Sequence, residues 1–238
     1  MRKVSTRLAG MVIALAMAGS VLATDVWRAK DYKQWDAKDV DKILNDSPWV
    51  KETTVGKFWT TPPAPAANGA AAKPDEGGPP APGSVGATSS YTVRWTSAVT
   101  MRHAIARNAE LSHQGDTADA EAYANAVSDT YDIALIGDMT PFGVLDTTDA
   151  IQKVQQATYL ESRDSADHMM PVKVELGRAA DGKTVQAMTF HFAKKNAAGA
   201  PVFPADAKGV DFVCKYGKFD LKAHFDFTKM TGQNGSDF

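Results

Sequence analysis

Ser97, His103 and Asp138 have the residue types of a serine-hydrolase triad. In such a triad the hydroxyl attacks, the imidazole takes its proton and the carboxylate orients the imidazole. A parallel pairing of the strands before Ser97 and Asp138 would place both residues near neighbouring strand ends. No Gly-x-Ser-x-Gly elbow surrounds Ser97, however, and His103 lies on the helix that Ser97 would cap. Capping and helix-surface roles therefore explain the same three residues.

A second group, His191, His224 and Asp226, could bind a metal ion if the strands that carry these residues share a sheet. Asp226 is two residues from His224, so the two side chains lie on the same face of one strand. The alternative is an ordinary solvated strand face, because the histidines form no His-x-His or His-Glu-x-x-His motif. The sequence thus predicts no catalytic residue, no metal ligand and no cofactor.

Two further residue types invite a functional interpretation. Cys214 is the sole cysteine, and its strand-like surroundings predict a small buried hydrophobe rather than a reactive thiol. Four of the five tryptophans lie between residues 24 and 59, namely Trp27, Trp35, Trp49 and Trp59. Exposed tryptophans bind sugars or partner proteins well. We expect the other role, in which they anchor a thin N-terminal segment to the core.

The first 23 residues have the three parts of a secretory signal peptide: a basic head, an apolar run over 8–18 and small residues up to Ala23. Thr24 is then the first mature residue. No cysteine lies at the cleavage site itself, and no twin-arginine pair precedes the apolar run. We therefore expect a secreted or periplasmic protein that is exported by the general secretory route.

Charge and hydropathy narrow the class of partner. The chain has a net charge of −2, and loss of the three basic residues of the signal takes it to −5. A mildly acidic protein has no electrostatic footprint for nucleic acid. No second apolar run approaches the roughly 20 residues that span a bilayer. The expected partner is accordingly an unknown protein or envelope ligand.

Composition divides the mature chain into four parts. A Trp-rich segment over 24–59 is too short for a core of its own, so we expect it to pack on the main domain. Residues 60–90 are rich in Pro, Ala and Gly and are predicted to form a disordered loop inserted within one domain. The core is predicted over 91–230, and 231–238 is expected to be a flexible tail.

Hydrophobic periodicity predicts the elements of the core. A strand at 91–96 and a strand at 132–137 flank two helices, which suggests a parallel crossover unit if both strands share a sheet. Four later segments alternate apolar and polar residues and predict an antiparallel meander, over 172–176, 186–192, 210–215 and 219–228. The fold class is therefore α+β: a single domain with a mixed, mainly antiparallel sheet and helices packed on one face.

Three stretches together resemble a group of secreted bacterial proteins of unknown function. They are WDAKDVDKILNDSPWVK (35–51), YTVRWTSAVTMRHA (91–104) and DFVCKYGKFDLKAHFDFTKM (211–230). The group pairs an SPW helix end with a VRWxSA strand end and a Phe-rich final strand that ends in Met. The resemblance implies no activity and no site residues, but it favours one domain. This chain departs from the pattern in the Gly/Asn/Ser tail after Met230.

Together these features predict a non-enzymatic protein that binds a partner or a ligand outside the cytoplasm. The alternative is a small secreted hydrolase that uses Ser97, His103 and Asp138. The two hypotheses differ in geometry, since the hydrolase requires those three side chains to meet in one pocket.

Overall fold

The computed structural model describes residues 25–56, 88–113, 116–162 and 168–238. The predicted signal peptide, Trp59 and most of the low-complexity segment lie outside these ranges. In chain order the elements are α1 (Val26–Ala29), α2 (Ala37–Asn45), β1 (Val50–Gly56), β2 (Thr88–Trp95), α3 (Val99–Leu111), α4 (Thr117–Asn125), β3 (Thr130–Gly137), α5 (Thr148–Gln156), β4 (Thr158–Ser162), β5 (His168–Met169), β6 (Lys173–Arg178), β7 (Val185–Ala193), β8 (Gly209–Tyr216), β9 (Phe219–Asp226), β10 (Thr231–Gly232) and β11 (Gly235–Ser236). Short 3₁₀ turns occur at Tyr32–Gln34 and Thr140–Phe142.

The strands form two main sheets and one small hairpin. The larger sheet has the order β1-β2-β3-β7-β6, the smaller has the order β5-β4-β8-β9, and β10 pairs with β11. All pairings among the described residues are antiparallel. The α+β class and its mainly antiparallel character are therefore confirmed.

The expected parallel crossover between β2 and β3 is wrong. The two strands are neighbours in one sheet, but they run antiparallel, with Trp95 opposite Ile133 and Tyr91 opposite Gly137. The reason is the pair of helices between them, because α3 and α4 pack against each other as a helical hairpin. A helical hairpin returns the chain to the end of the sheet that it left, so β3 must run back along β2.

The expected single meander of four strands is also wrong. β6 and β7 form a hairpin in the larger sheet, whereas β8 and β9 form a hairpin in the smaller one. The two sheets face each other, as shown by the ring of Phe190, whose centroid lies 5.4 Å from that of Phe212. Alternating apolar residues satisfy either arrangement, since they specify a buried face but not the sheet to which a strand belongs.

Aromatic side chains fill the space between the sheets. Trp95 of the larger sheet contacts Phe225 and Phe227 edge to face, at centroid distances of 5.2 and 5.6 Å. Tyr91 meets Phe219 in the same way at 5.0 Å. Such pairs stabilise a core beyond the area that they bury. The apolar residues of both sheets and of the N-terminal segment belong to one continuous core.

The N-terminal segment over 25–56 contributes to this core. Trp27, Trp35 and Trp49 are all buried within it, which is the anchoring role expected for them. β1 pairs with β2, so the strands on either side of residues 57–87 lie next to each other in one sheet. β2 begins at Thr88, which corrects the expectation of a disordered loop up to residue 90.

The expectation of a flexible tail over 231–238 is corrected as well. β10 and β11 form a hairpin, and the chain then returns to the core. The Phe238 ring stacks on Phe227 with centroids 3.9 Å apart and planes 8° from parallel. Asp237 is only 6% exposed. Polar composition suggested fraying, but one buried carboxylate and one stacked ring hold the segment in place.

Candidate functional site

The residues of the suggested hydrolase triad do not meet. Ser97 follows the end of β2 and Asp138 follows the end of β3. Because these neighbouring strands are antiparallel, the C-terminal end of β2 and that of β3 lie at opposite ends of the sheet, about 20 Å apart along the strand direction. The hydrolase alternative is therefore contradicted, and the reason is the strand direction that two intervening helices impose.

Ser97 has a structural role. Its buried hydroxyl accepts a hydrogen bond of 2.9 Å from the main-chain nitrogen of Asp132. This bond joins the start of β3 to the end of β2. Ser97 was also expected to cap the next helix, but the N-cap of α3 is Ala98, which has no side chain able to accept a hydrogen bond.

His191 and His224 lie in different sheets and do not form one metal site. The Nδ1 atom of His191 is 2.8 Å from Oδ1 of Asp132, and the Nδ1 atom of His224 is 2.6 Å from Oδ1 of Asp211. Asp226 accepts a hydrogen bond from the main-chain nitrogen of Thr228. Over the ranges that the structure describes, no three His, Cys, Asp or Glu side chains are grouped as metal ligands.

The outer face of the smaller sheet carries a row of charged residues that the sequence analysis did not identify. Glu161 pairs in register with Asp211, which pairs with His224 on the next strand. The Lys222 ammonium lies 2.8 Å from Asp211 and 3.2 Å from Glu161. Burial acts to raise the pKa of Asp211, but hydrogen bonds from Lys222 and His224 outweigh it and lower this pKa. The row ties three strands together across a solvated face.

Cys214 is buried in the core, as predicted. Its Sγ atom accepts a hydrogen bond of 3.3 Å from the hydroxyl of Thr158. Burial raises the pKa of the thiol to about 12. Because the thiolate is the reactive form, this side chain is inert in the folded protein.

A cleft of about 250 Å³ opens where the N-terminal segment, the start of α3 and the β10–β11 hairpin meet. We call it the aromatic cleft. It is lined by Trp27, Asp31, Tyr32, Trp35, Val99, Thr100, His103, Asn125 and the hairpin residues 232–237. Its volume is slightly below the range of roughly 300–1,000 Å³ that is usual for small-molecule sites. Rings form one part of the lining and polar side chains form another, as in many ligand pockets.

Ring contacts position the aromatic side of the cleft. His103 stacks on Tyr32 with centroids 4.1 Å apart, and Trp35 meets the Tyr32 ring edge to face at 6.3 Å. Burial, and secondly the charge of Arg102, lower the pKa of His103, so its imidazole is neutral at pH 7. Arg107 on α3 donates a hydrogen bond of 3.0 Å to the carbonyl of Trp35 and fixes this segment against the helix.

The β10–β11 hairpin forms the opposite wall. The carboxylate of Asp237 accepts hydrogen bonds from the main-chain nitrogens of Val99 at 2.5 Å and Thr100 at 2.9 Å, and so caps α3. Arg28 donates to the carbonyl of Thr231 at 3.1 Å, which joins the hairpin to α1. The Gln233 amide also joins the hairpin to the N-terminal segment, by donating a hydrogen bond of 2.6 Å to the carbonyl of Lys30.

Asp138 lies on a second cleft of about 750 Å³, between the turn after β3 and the β6–β7 hairpin. The Asp138 carboxylate accepts a hydrogen bond of 3.0 Å from the nitrogen of Thr140. Arg178 donates to the carbonyls of Lys183 and Leu145. The lining of this second cleft contains no aromatic side chain. We therefore regard the aromatic cleft as the better candidate site.

Comparison with known proteins assigns no family. No family model and no curated protein matches the chain. Among solved structures, the chain is similar to a Burkholderia pseudomallei protein described as a novel protein of unknown function. The two are 13% identical with a TM-score of 0.34, over 57% of this chain and 74% of that chain. A likeness of this size supports no argument about either fold or function.

Proposed function

We propose that this chain is an exported, non-enzymatic binding protein that holds a small ligand in the aromatic cleft. The observation that carries the proposal is the cleft itself, which combines a base of rings with a rim of amide, hydroxyl and carboxylate groups. Rings supply contact area at low entropic cost, and the polar rim orients the ligand. Both walls are held by long-range hydrogen bonds, so the site is largely pre-formed.

Export is supported by the pattern of residues 1–23, which lie outside the described ranges. Within 25–56, 88–113, 116–162 and 168–238, no helix combines the length and apolarity needed to cross a bilayer. N-terminal sequencing of the protein recovered outside the cytoplasm tests this part of the proposal. The expected first residue is Thr24, and an uncleaved chain retained in the cytoplasm would contradict it.

Binding is favoured over hydrolysis because the only nucleophile and carboxylate suggested by the sequence lie at opposite strand ends. His103, the third member of that group, is stacked on Tyr32 in the aromatic cleft. Its neutral imidazole can both donate and accept a hydrogen bond, which suits ligand recognition.

Ligand capture can be tested before the ligand is known. The mature chain is incubated with a small-molecule extract of the cell envelope, desalted and examined by native mass spectrometry. Asn234, exposed on the hairpin, lines the cleft, and Asn234→Trp would fill the opening. Lys218→Trp places the same ring on an exposed turn elsewhere and serves as the control. We expect an adduct on the wild type and on K218W but not on N234W. No adduct, or an adduct that persists in N234W, would overturn the proposal.

A further inference from the structure

We infer that the aromatic cleft binds an uncharged saccharide ring, an inference that rests on the proposed function and specifies its ligand. The lining presents hydrogen-bond donors and acceptors side by side. Asn125, Gln233 and Asn234 each carry an amide, and Thr100 and Ser236 each carry a hydroxyl. The amide nitrogens of Asn125 and Gln233 each donate one hydrogen bond to a main-chain carbonyl, which leaves each of them a second N–H group. A sugar hydroxyl both donates and accepts hydrogen bonds, so it can pair with the donors and the acceptors of this wall. An ammonium group on a ligand only donates, so it could pair with the acceptors alone.

The charges around the cleft disfavour an anion. Asp31 lies on the rim. Burial is the largest cause of the raised pKa of Tyr32; the Lys33 ammonium acts against it, and the carboxylates of Glu121, Glu110 and Asp31 act with it. The Lys33 ammonium, 5.9 Å from the centroid of the Tyr32 ring, is paired with Glu121 at 2.7 Å. No lysine or arginine is among the described residues that line the cleft, so an anionic ligand would meet the Asp31 carboxylate there, whereas neutral hydroxyls can donate to it.

The rings and the volume fit the same ligand class. Trp27 and Trp35 line the cleft but are only 4% and 2% exposed, so the half-buried Tyr32 is the ring that offers most apolar surface to the C–H groups of a sugar. A space of about 250 Å³ admits one ring and leaves any attached residues outside. The same chemistry is found in a free monosaccharide and in the terminal ring of a glycan, and the cleft would recognise either.

The test is a set of titrations followed by intrinsic tryptophan fluorescence and by isothermal calorimetry. The neutral probes are methyl glycosides of glucose, galactose, mannose and N-acetylglucosamine at millimolar concentrations, and the anionic probe is methyl glucuronide. Tetrasaccharides of the same units distinguish a free sugar from the end of a glycan. If the cleft accepts the terminal ring of a glycan, the tetrasaccharide should bind as tightly as the methyl glycoside; if it accepts only a free sugar, the tetrasaccharide should bind more weakly. We expect saturable binding of at least one neutral glycoside and weaker binding of the glucuronide.

Variants locate the binding. Asn234→Trp should abolish it, and Asn234→Ala should weaken it by about three- to ten-fold through the loss of one hydrogen-bonding group. Asp31→Asn keeps an acceptor for the Lys33 main-chain nitrogen but removes the charge. It should improve glucuronide binding relative to the glucoside by about five-fold. Asn108→Ala, an exposed amide on α3 outside the cleft, should change neither affinity.

Two results would overturn the inference: no neutral glycoside binds, or the glucuronide binds at least as tightly as the neutral probes in the wild type. If the envelope extract still gives an adduct that N234W abolishes, only the saccharide class is wrong and the proposed function stands. If that adduct is absent as well, both are wrong.

Discussion

The main-chain carbonyl of Asp237 accepts a hydrogen bond of 2.6 Å from the indole nitrogen of Trp49, a residue 188 positions earlier. This bond is buried, and it lies beside the cap that the Asp237 carboxylate forms on α3. One residue thus joins the N-terminal segment, the central helix and the final hairpin. The aromatic cleft owes its shape to this junction, because its lining comes from these three parts of the chain.

The cap predicts a specific loss of stability. Asp237→Ala leaves the nitrogens of Val99 and Thr100 without their acceptor in a buried site, which should reduce the free energy of unfolding by about 1–3 kcal/mol. Asp237→Asn retains one acceptor oxygen and should lose less. Urea denaturation measures the effect, with the exposed Asp206→Ala as the matched control. Equal stability of D237A and D206A would show that the cap does not matter.

The charged row on the smaller sheet predicts a pH dependence. Burial opposes ionisation of Asp211, but Lys222 and His224 outweigh it, so the folded-state pKa of Asp211 lies below its ordinary value of 3.8. A carboxylate with a lowered pKa stabilises the fold above the unfolded pKa, and this contribution disappears as the pH falls through the folded value.

Asp211→Asn should therefore be less stable than the wild type above pH 3.8, and the difference should shrink as the pH falls below that value. Chemical denaturation at a series of pH values measures it. Asp220→Asn, an exposed residue on the same face of β9, is the control and should show little difference at any pH. A gap between D211N and wild type that stays constant into strong acid would contradict the assigned pKa direction.

Cys214 predicts a reactivity that depends on folding. Because burial raises the pKa of this thiol to about 12, iodoacetamide should not label the native protein at mildly alkaline pH. In denaturant the same reagent should label one thiol per chain, since Cys214 is the sole cysteine. Rapid labelling without denaturant would mean that the core between the sheets opens readily.

Local features of the sequence specify local structure. Asp36 caps α2, and Asp39 completes a capping box by accepting a hydrogen bond from the Asp36 nitrogen. Asp116 caps α4 in a similar way. Caps and amphipathic periodicity depend on residues within a few positions of one another, so a single sequence contains the information. The α+β class follows from these elements.

Strand direction and sheet membership were not available from the same patterns. The apolar run at 132–137 identified a buried strand, but nothing within it fixes whether it runs parallel or antiparallel to β2. β4 does not stand out in the sequence, because Leu160 continues the helical spacing of Ile151 and Val154, although the chain becomes extended from Thr158. In both cases contacts distant in sequence decide the outcome.

The aromatic cleft was out of reach for a different reason. Its residues come from three separate parts of the chain, around Tyr32, His103 and Gln233, and no motif connects them. One signal is present: Asn234-Gly235 is a strong hairpin dipeptide, although the polar composition around it predicts a flexible tail. Read as a turn, it would have indicated an ordered hairpin, but not the helix that the hairpin caps.

The most direct test of the account is a ¹H–¹⁵N NMR titration of the mature chain with the best neutral glycoside. We predict that shift changes concentrate on the indole N–H groups of Trp27 and Trp35 and on the side-chain amides of Asn125 and Gln233. Changes centred on residues 137–146 and 178–186, which contribute to the second cleft, would contradict the assignment of the site. The absence of any change at saturating ligand would contradict it equally.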